Sequence, residues 1–251
     1  MKRKNNFADS SFEIKLKMKH TRRFIIGIIA TCCWLACTTQ TEVQPEPQGK
    51  RFFPLAVGNF FVFDIEQTLY TSGPVGVTTQ FQRKWYVADL FENQENENVY
   101  ILYEYTRTTP QENWTYIKTR NAILSDYHLL LSDEAISFQK LLFPLRQGTR
   151  WNVNKFNTLP EKIITLTKLP LQKTVNTVVY TQVAEIEYTN EEDRIIGNDI
   201  EKEWYALDVG LIERYLENIT YCSNTPACLG QQIIQSGSIV SEKLNSYGNE
   251  L

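Results

Sequence analysis

Apolar and polar residues alternate with a period of two along much of the chain, the spacing of strands rather than of helices. Residues 81–90 (FQRKWYVADL), 99–106 (VYILYEYT), 114–119 (WTYIKT), 162–167 (KIITLT), 177–188 (TVVYTQVAEIEY) and 211–221 (LIERYLENITY) are rich in Val, Ile, Thr and aromatics and predict strands. Turn-forming or polar clusters separate them: Ser72-Gly73-Pro74, Glu92 to Asn98, Glu191-Glu192-Asp193 and Gly197-Asn198-Asp199. Only Ser132 to Leu142 (SDEAISFQKLL) reads as a helix, with Ser132 as its cap before Asp133 and Glu134. The expected fold is all-β: an antiparallel meander closing into a half-barrel, barrel or sandwich, with at most one or two short helices. No regular helix separates the strands, which argues against a parallel βαβ sheet.

Residues 18–37 (MKHTRRFIIGIIATCCWLAC) break this pattern and form an export signal. Lys19, Arg22 and Arg23 supply the basic start, an apolar run extends from Phe24 to Ala36, and small Ala36 precedes Cys37. The run is too short for a spanning helix, which needs roughly 20 apolar residues, so a cleaved signal fits it better. Leu35-Ala36-Cys37 resembles the lipobox of bacterial lipoproteins, with Trp34 where that pattern prefers Leu. The resemblance implies lipidation of Cys37 by diacylglycerol, cleavage before it and acylation, for example by palmitate, of the new amino terminus. Cys32 and Cys33 are lesser candidates because neither follows a residue as small as Ala36. Each buried methylene contributes about 0.8 kcal/mol, so several acyl chains hold a protein to a membrane stably.

Residues 1–17 are polar and overlong for a signal start, so Met18 is the expected true start and 1–17 an extension outside the native chain. Residues 38–50 contain Pro45, Pro47 and Gly49 without apolar periodicity and read as a flexible tether. Residues 51–251 are expected to form one extracytoplasmic domain. No aspartate follows Cys37, which by resemblance to the sorting rule of Gram-negative lipoproteins implies the outer membrane, with the domain in the periplasm or at the cell surface.

Eight of the 26 basic residues and two of the 29 acidic ones lie within 1–37, so 18 basic residues face 27 acidic ones in the remainder. That acidic balance makes nucleic acid a poor partner, since no basic stripe is available to neutralise phosphates. Beyond Cys37 the chain keeps two cysteines, Cys222 and Cys228, flanking the turn-rich Ser-Asn-Thr-Pro-Ala. An oxidising compartment would let them close a small disulfide loop. Two cysteines and the single remaining histidine, His128, do not make a metal site, and no cofactor motif is present.

An internal echo links distant segments. Phe53-Pro54-Leu55, Gly58-Asn59, Phe61 and Phe63 recur as Phe143-Pro144-Leu145, Gly148-Thr149, Trp151 and Val153, and Leu207-Asp208-Val209-Gly210-Leu211 is a shorter version. Proline fixing the approach, glycine bending the chain and alternating aromatics read as a strand entry used repeatedly. Two similar lobes, or one sheet using the device twice, would each explain it, and the single sheet is preferred. These motifs, with Trp204-Tyr205-Ala206-Leu207-Asp208-Val209-Gly210-Leu211, resemble a group of uncharacterised Gram-negative lipoproteins marked by F-P-L-x-x-G-N-x-W-x-Y and W-Y-A-x-x-V-G-L. The resemblance implies an all-β periplasmic domain and no particular activity.

Catalytic signatures are sparse. His128 has no G-x-S-x-G partner, and Ser137-Phe138-Gln139-Lys140 matches S-x-x-K without its companion S-D-N and K-T-G motifs. Glu185/Glu187 and Glu201/Glu203 are carboxylate pairs two apart, which a glycoside hydrolase could use, although a solvated sheet face is the simpler reading. The acidic turns at 92–98 and 191–193 could hold calcium weakly. Tyr103, Tyr105, Trp114 and Tyr116 are candidates to line an apolar ligand site, against the plainer reading of cross-strand aromatic pairing. The function expected is therefore a non-enzymatic, lipid-anchored envelope module binding an apolar ligand or partner protein, with a polysaccharide hydrolase as the alternative.

Overall fold

The computed structural model of the chain describes residues 48–250, so the export signal, Cys37 and residues 38–47 of the tether lie outside the described residues. A short 3-10 helix, Gln48–Phe52, leads into twelve strands: β1 (Asn59–Tyr70), β2 (Val77–Glu92), β3 (Asn98–Arg107), β4 (Thr115–Leu124), β5 (His128–Asp133), β6 (Ile136–Leu142), β7 (Arg150–Asn152), β8 (Ile163–Val175), β9 (Val178–Asp193), β10 (Gly197–Ala206), β11 (Gly210–Tyr221) and β12 (Ile234–Asn249). They form one antiparallel sheet in the order β6-β5-β4-β3-β2-β1-β12-β11-β10-β9-β8-β7, curled nearly into a barrel, in agreement with the all-β expectation. The first and last strands pair at its centre. Its two edges, β6 and β7, meet across a sparse seam, where the Gln139 amide donates to Val153 O (2.8 Å) and the Trp151 indole to Gln139 O (2.9 Å).

The predicted helix over 132–142 is a β-hairpin. Ser132 does not cap a helix; its hydroxyl exchanges hydrogen bonds with the Asn121 backbone on β4, and the chain reverses at Glu134, whose φ is 56°. The apolar positions 129, 131, 138 and 141 pair across strands, so tertiary packing overrides a local cap signal. Two polar clusters read as turns, 191–193 and 197–199, instead end β9 and begin β10, with the reversal confined to 194–196. The tether also ends earlier than expected: residues 48–50 belong to the 3-10 helix, and a Cβ on Gly49 would lie 2.3 Å from the Phe143 ring.

The echo corresponds to a shared turn. At its first copy the Asn59 amide donates to Ala56 O with Gly58 at φ 88°, and the Gly58 amide donates to Val87 O on β2. At its second the Thr149 amide donates to Arg146 O with Gly148 at φ 85°, and the Gly148 amide donates to Leu166 O on β8. Both are type II turns, which require a left-handed third residue and so favour glycine. The shorter echo is shifted by two: its turn runs over 206–209 with Asp208 as the left-handed third residue (φ 63°), clamped by the Arg51 guanidinium at 2.7 Å. Both full copies sit in one sheet, each opening one run of strands.

Residues Phe52 and Phe53, at the end of the 3-10 helix and just beyond it, are buried with Phe61, Phe63, Trp85, Leu102, Leu129, Leu141, Trp151, Tyr205 and Leu211. Phe53 packs near Phe61 and Tyr205 (6.4 and 6.2 Å between rings), and Phe63 meets Trp85 edge-on at 5.2 Å. Hydrocarbon thus closes the barrel at the end where the 3-10 helix enters. Cys222 and Cys228 are disulfide-bonded in the β11–β12 connection at the other end.

Candidate functional site

On β2, β3, β4, β5, β10, β11 and β12, inward positions change from apolar to charged toward the end opposite the 3-10 helix. Val87 and Trp85 give way to Arg83, Leu102 to Glu104, Ala122 to Arg120, Leu131 to Asp133, Tyr205 to Glu203 and Glu201, Leu211 to Arg214, and Leu244 to Glu242. The charged side chains bound a cavity of about 370 Å³ floored by Phe53, Trp85, Tyr205 and Leu211. Lys162, Asn154 and Leu159, from the segment before β8, add to its wall.

Every charge there has an opposite partner, and the pairs run as a chain around the wall. Lys118 and Arg120 hold Asp133 at 2.5 and 3.3 Å; Arg120 and the Trp85 indole donate to Glu104 at 2.6 and 3.1 Å; Arg83 lies 3.6 Å from Glu104 and donates to Glu242 at 2.9 Å. Glu242 faces Arg214 across β11 and β12, and Arg214 faces Glu203 across β10 and β11. Arg214 donates to Glu201 at 3.0 Å, Lys162 to Glu201 at 2.8 Å, and Lys140, reaching over from the edge strand β6, to Glu203 at 2.6 Å. The Tyr188 and Tyr205 hydroxyls complete the Glu203 shell at 2.8 and 2.6 Å. Glu203 and Glu242 are each only 2% exposed, a burial that charges tolerate only when so paired.

The electrostatics follow from this wiring. Burial alone would raise the Glu203 carboxyl, but the Lys140 and Arg214 charges and the hydrogen bonds to Lys140 and Tyr205 hold it below the usual carboxylate range. Glu201 is treated alike: burial is outweighed by Lys162 and Arg214. Asp133 is lowered against its burial by Lys118 and Arg120. Burial and the Glu203 charge push the Tyr188 and Tyr205 phenols well up, so both stay protonated donors.

Tyr103, Tyr105 and Tyr116 do not line the cavity; they form an edge-to-face cluster (6.4, 6.0 and 5.9 Å) on the outer face of β3 and β4, because inward positions there belong to Leu102, Glu104 and Arg120. Trp114 precedes β4 and stacks under the Arg107 guanidinium at 4.1 Å. Glu185 and Glu187 are outside the cavity as well: Glu185 is buried beneath Trp204, whose indole donates to it at 2.9 Å, and Glu187 pairs with Lys202 at 3.2 Å. For Glu201 and Glu203 the solvated-face reading fails, since both point into the barrel. Ser137 and Lys140 lie on a strand, where residues three apart face opposite sides, so the S-x-x-K spacing has no helical turn to act through. His128 opens β5, half-buried against Phe156 at 5.0 Å, with its pKa lowered mainly by burial. The 92–98 turn is organised by Asn93, which accepts from the Glu95 and Glu97 amides. Among the described residues no group of three or more His, Cys, Asp or Glu side chains is gathered as metal ligands.

The charged network was missed because each member looks like an ordinary polar strand residue. A signal was available in parity: Phe81, Arg83, Trp85 and Val87 share one face of β2, so a charge inside an aromatic stripe marks an inward position.

No family model and no curated protein matches this chain. Two crystal structures are similar to it in part. A candidate exported protein with a YmcC-like fold from Bacteroides fragilis is 12% identical, with a TM-score of 0.43 over 79% of this chain and 99% of its own. A candidate lipoprotein from Parabacteroides distasonis is 12% identical, with a TM-score of 0.38 over 77% of this chain and 98% of its own.

Proposed function

We propose that this chain is an envelope lipoprotein, anchored to the outer membrane through Cys37, whose barrel is a non-enzymatic binding module for a polar ligand. The observation that carries the binding reading is the charged cavity. Replacing buried ion pairs by hydrophobic residues is often neutral or stabilising by about 1–4 kcal/mol, so a barrel needing only stability gains little from a charged interior. A recognition surface does gain, because paired charges present fixed donors and acceptors without net charge. The same lining disfavours the apolar ligand expected from sequence, whose burial there would strip water from ionic groups without replacing its hydrogen bonds.

The paired-carboxylate hydrolase is disfavoured by the same wiring. Glycoside hydrolysis needs one carboxyl held protonated as a general acid, with its pKa raised. Glu185, Glu201, Glu203 and Asp133 are all shifted downward.

Intact-mass measurement of the full chain, produced in a Gram-negative host and extracted from membranes in detergent, tests the anchor. The expected species begins at Cys37 and carries diacylglycerol plus one amide-linked acyl chain, and Cys37→Ser abolishes both cleavage and acylation. An unacylated chain, or one beginning before Cys37, would contradict the anchor.

A further inference from the structure

We propose that the ligand of the charged cavity is a neutral sugar unit, free or at the end of an envelope glycan; this rests on the reading of the barrel as a non-enzymatic binding module and names its ligand class. Three features of the wall point there. Donors (Arg83, Lys162, Arg214) alternate with acceptors (Asp133, Glu201, Glu242) around one small volume. A sugar hydroxyl donates and accepts at once, so it can use the remaining hydrogen-bonding capacity of a cation and of the carboxylate beside it without breaking their pair, whereas an anion meets a carboxylate beside every cation. The wall also holds unspent capacity. Arg214 Nε is buried and has no hydrogen-bond partner among the described residues; Glu203 lies 3.4 Å away without hydrogen-bond geometry. Leaving such a donor unmade costs about 1–3 kcal/mol, which a bound hydroxyl would offset.

A ring face supplies the second feature. Phe138 lines the cavity beside the charges, giving the C–H face of a pyranose an apolar surface while its hydroxyls reach the polar wall; the Tyr188 ring beside it lies under Lys140 and Lys162 (4.7 and 5.4 Å) and the Trp85 ring under Arg120 (5.8 Å). The third is size and access. A volume of about 370 Å³ falls in the range of small-molecule sites, roughly 300–1,000 Å³. Asp133 and Lys162 are the most open charged members, with side chains 40% and 39% exposed, and with exposed Leu159 they mark the rim through which a ligand enters.

Calorimetric titration of the detergent-purified full chain tests this, with cellobiose, N,N′-diacetylchitobiose and hexa-N-acetylchitohexaose as neutral sugars, and palmitate and inorganic phosphate as the apolar and anionic probes. The sugars are expected to bind with an affinity that does not change between low and high salt, as befits a ligand that neutralises no charge, and palmitate and phosphate are expected not to bind. Equal affinity for the disaccharides and the hexasaccharide marks a free sugar or chain end as the ligand; tighter binding of the hexasaccharide marks a glycan extending past the rim. Lys162→Met and Asp133→Asn, two rim changes on different elements, the segment before β8 and the end of β5, should each weaken binding by about tenfold, while Tyr116→Ala on the outer face leaves it unchanged. Sensitivity to Tyr116→Ala with indifference to both rim changes would move the site to the outer tyrosines and overturn the proposal, as would binding of palmitate or phosphate in place of sugar. Mass spectrometry of the recovered sugars separates the two levels of the account. Sugar that is neither bound nor cleaved sinks the ligand assignment alone; cleaved sugar sinks the non-enzymatic reading.

Discussion

The two ends of the barrel interior use the same inward register for opposite purposes. Where the 3-10 helix enters, Phe53, Phe63, Val87 and Leu102 exclude water and gain free energy with every square ångström buried. At the other end Arg83, Glu104, Glu203, Arg214 and Glu242 occupy the continuation of those stripes and must recover their lost hydration from one another. Only the first end is explained by stability. The second is a lattice whose order is set by pairing, which is what a polar binding site needs: groups held still before the ligand arrives.

The contrast predicts a ranking of substitutions, each readable by denaturant unfolding. Phe63→Ala, at a fully buried position against Trp85, should cost most, at the upper part of about 3–5 kcal/mol. Glu203→Leu should cost about 3 kcal/mol by stranding Lys140 and taking one of its carboxylate partners from Arg214. Adding Lys140→Met to it should return part of that loss, because the pair then leaves together; no recovery would mean the two residues are not coupled. Replacing Cys222 and Cys228 by serine opens a small loop at the charged end and should cost about 2 kcal/mol. Gly148→Ala should cost about 1 kcal/mol through its left-handed φ alone, since nothing lies within 4 Å of the added methyl.

Much of the first end was legible in sequence and little of the second. Strands β2, β3, β4, β8, β9 and β11 announce themselves through alternating Val, Ile and aromatics, and the Phe-Pro-Leu echo marks the entries to β1 and β7. Strand β12 (IQSGSIVSEKLNSYGN) escaped although it is central, because its outward face is polar and its inward face carries Glu242 where a core residue would advertise a strand. The end of β5, the turn after it and β6 read as one helix over 132–142 because Ser132-Asp133-Glu134 imitates a cap, while Asp133 is in truth a cavity carboxylate bound by Lys118 and Arg120. Charge on a strand defaults to the solvent side in any one-dimensional reading; only neighbours brought together by the meander turn it into an interior network.

The pairing also fixes a response to acid. Asp133, Glu185, Glu201 and Glu203 have folded-state pKa values below their ordinary ones, so the stability they contribute is present above the unfolded value and lost as pH falls through the folded one. The loss therefore falls below about pH 4.5, the usual glutamate value.

A site-resolved carbon-13 titration of the Glu201 and Glu203 carboxylates in the full chain tests this most directly. The account predicts that both titrate below 4.5, and that Lys140→Met moves Glu203 upward. A carboxyl at either position still protonated well above that value would contradict the ion-paired interior and restore the general acid that a hydrolase requires.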